Sequence, residues 1–71
     1  MNLKDWQAIV ADIEKNVEGD AYSLNVHMKS GTVHRHATWQ AVTPTALALG
    51  VCDSPPIYTS IEAIEAVEIA A

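Results

Sequence analysis

Three histidines, His27, His34 and His36, fall within ten residues of one another in the stretch VHMKSGTVHRHATW, from Val26 to Trp39. Neutral imidazole ligates metals, and its reference pKa of about 6.5 puts its charge change near physiological pH. The stretch alternates apolar and polar residues around Ser30-Gly31, which predicts a β-hairpin. A two-residue turn there pairs Met28 with Val33 and His27 with His34, and places Asn25, His27, His34 and His36 on the outer face. Opposed Cβ atoms lie about 4.5–5.5 Å apart in such a pair. His27 and His34 are then near enough to share a zinc ion with His36, each nitrogen at about 2.0–2.1 Å. Such an open site would suit a metal-dependent hydrolase, or the trio would sense pH. The plainer reading is that these residues are polar because they face solvent, and on that reading no cofactor is expected.

The same hairpin carries Lys29 and Arg35, with Trp39 and Tyr22 close by in the chain. Basic side chains beside aromatic ones suit single-stranded nucleic acid, whose bases stack on rings while its phosphates take the charges. Lys29, His34, Arg35, His36 and Trp39 are therefore the candidate nucleic-acid contacts. The chain as a whole argues the other way. Nine acids against four bases give a net charge of −5, whereas non-specific nucleic-acid binding needs a basic surface. Signatures of catalysis are missing: there is no Gly-rich phosphate loop or nucleophile elbow, and no Asp or Glu between Ala21 and Cys52. Cys52 is the only cysteine, which excludes a disulfide within the chain. Flanked by Val51 and Asp53, it reads as a small buried hydrophobe rather than a nucleophile. We expect no catalytic residues and no enzyme.

The elements that must position these side chains are short. At 71 residues the chain makes one small domain, of a size that leans on metals, disulfides or partner copies. Leu3, Trp6, Ile9, Val10, Ile13 and Val17 recur at helical spacing, predicting a helix over 3–17 with Asn2 as N-cap, Asp5 reaching back to it, and Gly19 as the stop. From Ala21 the period is two. Tyr22, Leu24, Val26 and Met28 form the apolar row of a first strand. The second runs through Val33, Ala37, Trp39 and Ala41, and Arg35 falls on its inward row, so a bulge or bend is expected there. Pro44 punctuates the next turn, Ala46 to Val51 make a third strand, CDSPP is a loop, and IYT is a fourth strand. In SIEAIEAVEIAA a helix would stack Glu62, Glu65 and Glu68 with no lysine between them. A turn over 60–63 followed by a fifth strand, 64–69, is preferred, with the glutamates on a solvated face. The acidic start has no unbroken apolar run, so neither a signal peptide nor a membrane span is expected, and the default compartment is the cytoplasm.

A helix followed by five short strands is the plan of a small, strongly bent antiparallel barrel, spanning 21–69 here. LNVHMKSGTVHRHATWQAVTPTALAL resembles the first motif of Sm-like proteins: an apolar strand, a Lys-Asn-Gly turn (KSG here), a bent second strand, and a third ending in Leu-x-Leu. IEAIEAVEI resembles the closing strands, and an SH3-like barrel has a similar layout. The resemblance implies a mainly β fold whose copies close into rings, and the apolar fraction of 49% supplies candidate interface residues, Ile57, Tyr58 and Ile69. It also locates what this chain lacks. RNA-binding members carry Gly where His36 stands, Asp and Asn where Val42 and Ala46 stand, and an Arg-Gly pair where the chain reads YTSIEAI. Valine and alanine offer no polar atom to read a base. The expectation is a homo-oligomeric assembly module without enzymatic activity, with RNA binding second and hydrolysis a distant third.

Overall fold

The computed structural model describes residues 1–17 and 22–70. Helix α1 (Leu3–Asn16) precedes five strands: β1 (Leu24–Met28), β2 (Val33–Thr43), β3 (Ala46–Gly50), β4 (Ile57–Ser60) and β5 (Ile64–Ile69). A single 3-10 turn, Ile61–Ala63, joins β4 to β5. The strands form one antiparallel sheet in the order β4-β3-β2-β1-β5. The fold is thus mainly β with an N-terminal helix. Its two end strands, β4 and β5, are not hydrogen-bonded to each other.

Helix α1 begins where the spacing places it. The Asn2 carboxamide accepts from the Asp5 N–H at 2.8 Å, satisfying one of the donors that a helix start leaves unpaired. Asp5 returns no bond to Asn2 among the described residues, so the cap is one-sided. The helix ends at Asn16, where the Val17 N–H reaches the Ile13 carbonyl. The expected Gly19 stop and the Ala21 strand start lie outside the described residues. Trp6 and Val10 are buried, and Leu3 and Ile13 pack beside them.

Strands β1, β2 and β3 bury alternate residues: Leu24, Val26 and Met28, then Ala37, then Leu47 and Leu49. With Trp6, Val10, Ile61 and Ile64 these make one core cluster that contains no polar or charged residue. A flat sheet cannot bring β3 and β5 to the same cluster, so the sheet must curve. The curvature comes from β2, whose first half pairs with β1 and whose second half, from Thr38, pairs with β3.

Trp6 is the largest fully buried side chain. Its ring meets Trp39 edge to face, with centroids 5.4 Å apart and an interplanar angle of 86°, a preferred geometry for aromatic pairs. Its indole N–H has no hydrogen-bond partner among the described residues. Replacing Trp6 with Ala should cost about 3–5 kcal/mol, most of the stability of a domain this small. Trp6→Phe removes the unpaired donor and keeps a ring, so it should cost much less. Urea midpoints of the two variants check the order; equal losses would show that the ring is not what α1 contributes.

Candidate functional site

The hairpin between β1 and β2 turns over three residues, not two. Met28 N–H donates to the Thr32 carbonyl at 2.8 Å and Gly31 N–H donates to the Met28 carbonyl at 2.9 Å. Gly31 has φ +96°, the left-handed position that follows a type I turn in three-residue hairpin loops and that glycine occupies without strain. This moves the register by one. His27 lies opposite Val33, and His34 lies opposite Val26. Opposed residues share a face of the sheet, so His34 falls on the buried face with Val26, half-buried, while His27 faces out. The expected trio of His27, His34 and His36 is therefore not assembled. Among the described residues no group of three or more His, Cys, Asp or Glu side chains is placed to hold a metal ion. The sequence supplied the glycine, but not whether Gly31 closes a two-residue turn or ends a three-residue one.

The bulge expected near Arg35 is present. Register slips by one between Val26 and Leu24, so that Arg35 and His36 together face Asn25. His36 has φ +52°, a conformation uncommon in residues other than glycine and easier for His than for β-branched side chains. The N–H that this bulge leaves spare is taken by the Asn25 side chain, whose Oδ1 accepts from His36 at 3.1 Å. Arg35 and His36 are both exposed.

Asn25 has a second partner. Its Nδ2 donates to Glu68 Oε1 at 3.4 Å, and His27 Nε2 lies 2.9 Å from the same oxygen. The register between β1 and β5 pairs Asn25 with Glu68 and His27 with Ala66, which sets all of these side chains on the outer face. The hydrogen bond from His27, then that from Asn25, holds the Glu68 carboxyl below its usual pKa, and the Arg35 charge acts in the same direction. Glu68 thus bridges two strands. Its role was not legible in the sequence, because it needs the pairing of two strands separated by most of the chain.

The proposed nucleic-acid contacts separate. Lys29, Arg35 and His36 are exposed, His34 is half-buried, and the half-buried Trp39 packs on the core against Trp6. The Tyr22 hydroxyl donates to Glu14 Oε1 at 3.0 Å, tying the start of the strand region to the helix. Burial, with the neighbouring carboxylate, raises the pKa of that hydroxyl. Cys52 is exposed rather than buried, because it sits in the loop after β3 beside Asp53, whose φ is +60°. The glutamates at 62, 65 and 68 are exposed, as expected.

Among the described residues the sheet ends in two strands, β4 and β5, that each have one strand neighbour, and at the start of β5 the Ile64 carbonyl accepts from the Met1 amino group at 3.0 Å. Ala70 N–H donates to the Ser23 carbonyl at 3.0 Å, and Ile61 N–H donates to the Thr45 carbonyl at 2.9 Å. Since an antiparallel ladder alternates between pairs that exchange bonds and pairs that do not, Val67 and Ile69 on β5 turn their N–H and C=O groups off the sheet. Tyr58 and Ser60 do the same on β4. Tyr58 and Ile69 are also among the most exposed large apolar residues, at 72% and 46%. Ile57 is half-buried and packs on the core. No helix of the described residues is long and apolar enough to cross a membrane. Compared with known protein-family models, curated proteins and solved structures, the chain matches none.

Two measurements test the outer-face network. Because the His36 backbone is left-handed, His36→Gly should leave stability equal or higher, whereas His36→Val should lower it by about 1–2 kcal/mol; thermal melts of both check this. For Glu68, a carboxyl with a lowered folded pKa contributes stability that is complete above its unfolded pKa and disappears as pH falls through the folded value. Glu68→Gln should therefore lower stability slightly at neutral pH, flatten the acid limb of stability against pH, and converge with wild type below the folded pKa. An unchanged acid limb would show that the bridge carries no weight.

Proposed function

We propose that this chain is a non-enzymatic, cytoplasmic assembly module on an Sm-like plan, a small bent barrel whose copies join edge to edge in a ring. The single observation that carries this reading is the matched pair of open edges. Unpaired edges are templates for another strand, and proteins that keep them exposed must manage them. Here β4 offers the backbone groups of Tyr58 and Ser60, and β5 offers those of Val67 and Ile69. Antiparallel docking that sets Tyr58 opposite Ile69 of a second copy sets Ser60 opposite Val67 in the same register. Both strands are uncharged at the docking groups, and each edge brings one exposed apolar side chain.

The face parity adds a consequence. Tyr58 and Ser60 point away from the core, whereas Val67 and Ile69 share the face of Val26 and Leu24. A β4-to-β5 join therefore puts the outer face of one copy on the same side as the inner face of the next. Successive cores alternate across each shared sheet, and the contact is head to tail, the kind that closes into a ring when its rotation permits. The strand order, the N-terminal helix, the bend in β2 and the short turn between β4 and β5 support the Sm-like reading.

A second reading, RNA binding, rests on the exposure of Lys29, Arg35 and His36 around one hairpin. It predicts affinity that falls steeply with salt. The metal-dependent hydrolase has no such support, since its histidines lie on different faces.

Ser60 provides the test. Its N–H points off the edge, and its φ of −73° is one that proline adopts without strain. Ser60→Pro should fold with unchanged or slightly higher thermal stability and lose the edge join. Light scattering would show wild-type protein as a multimer and the variant as a smaller species. A wild-type mass that Ser60→Pro leaves unaltered would remove the edge from the assembly.

A further inference from the structure

The chain segregates its charge. Between Ala37 and Ile61 the only charged side chain is Asp53, and all four bases and the other eight acids lie before or after that stretch. This neutral stretch is the second half of β2 with β3 and β4. Its outer face is read from the register: Gln40, Ala48 and Tyr58 form one row, and Thr38 and Gly50 form the next. In a chain of net charge −5, this is the broad face on which two copies could meet without charge repulsion. Loss of charged residues and enrichment in exposed aromatics are what mark the centre of an interface.

The face also has relief. A recess of about 190 Å³ opens between Thr38, Trp39, Gln40, Ala48, Gly50 and Pro56. Its floor depends on glycine, because a Cβ at Gly50 would come within 2.6 Å of Thr38 Oγ1. Sites for cofactors and drug-sized ligands run to about 300–1,000 Å³, so this one suits a single side chain. Tyr58, one strand over on the same face and 72% exposed, projects beside the recess without lining it. A knob and a hole side by side on one surface are self-complementary under a two-fold axis.

We infer that two copies pack back to back through the outer faces of β2, β3 and β4, each seating its Tyr58 ring in the recess of the other. The sheets then lie about 10 Å apart, the usual face-to-face spacing. The contact goes beyond the edge join and is separable from it. The edge uses the Tyr58 backbone; the face uses its ring, the Thr38 hydroxyl and the Gln40 amide.

Sedimentation equilibrium on the whole chain separates the two. Ser60→Pro blocks the edge and should leave a species of two copies. Adding Ala48→Arg puts a charge on the middle strand, away from both edges, and should weaken that two-copy species at least about tenfold; Tyr58→Ala should act in the same direction. Circular dichroism and thermal melts confirm that each variant is folded. A monomeric Ser60→Pro protein would overturn the contact, as would a folded Ala48→Arg variant of unchanged mass. A monomer whose recess resonances shift with free nucleoside would assign the recess to a ligand and overturn it equally. If wild-type protein itself stops at two copies and Ala48→Arg dissociates them, the face contact stands and the edge join fails.

Discussion

The bend in β2 is the constraint on which the rest of the molecule depends. Eleven residues, Val33–Thr43, serve two neighbours in turn, and the change of partner falls just after Arg35 and His36 bulge against Asn25. Without that kink, β1 and β3 would flank a flat β2, and Leu24, Val26, Leu47 and Leu49 could not share one cluster with Ile61 and Ile64. Two features hold the kink. His36 accepts a left-handed backbone, and Asn25 takes up its N–H at 3.1 Å. The hydrogen bond matters because a bulge leaves a backbone donor without a ladder partner. A second bulge places Val42 outside the β2–β3 ladder, which is why a valine stands 54% exposed.

Curving the sheet does not by itself exclude water from the concave side. Helix α1 does that through Trp6 and Val10, and Trp39 meets Trp6 from the sheet. The resulting core has no buried polar residue and little redundancy. A domain of this length has a marginal core, and no disulfide within the chain is available to one with a single cysteine. Two of the three exposed large apolar residues, Tyr58 and Ile69, sit on the end strands, each of which has one strand neighbour among the described residues.

Element type and order were legible because both hydrophobic periods are clean. Trp6, Val10 and Ile13 mark a helical stripe, and Leu24, Val26 and Met28 mark a strand. The tail resolved correctly on charge alone, since Glu62, Glu65 and Glu68 without intervening lysines disfavour a helix. The bulge was legible too, because Arg35 could not remain on the buried row. Register was not. A turn at Ser30-Gly31 closes in two ways that differ by one residue, and that residue moves His34 from the outer face to the inner one. The metal reading depended wholly on that choice. The role of Glu68 is illegible for a different reason: its partners, His27 and Asn25, lie more than forty residues away in the chain, and local pattern carries no information about them. Cys52 was placed inside on its type, but a residue in a loop takes the exposure of the loop.

Charge and curvature divide the molecule along the same line. The half of the sheet formed by β5, β1 and the start of β2 carries His27, Glu65, Glu68 and Arg35 on its outer side, where Glu68 links strands and water solvates the rest. The half formed by the end of β2, β3 and β4 carries none. A solvated sheet face with no functional demand would not need to be neutral, since Lys and Glu are readily accommodated there and reduce association. Alanine at 48 and glycine at 50 give up side-chain packing and strand propensity, and Gly50 does so where any Cβ would crowd Thr38. Gly50 thereby leaves room for the Thr38 side chain, and the two small residues keep the outer face of β3 low. A surface from which charge is withheld on three adjacent strands, in a chain otherwise rich in acids, has the composition of the middle of an interface rather than of its rim.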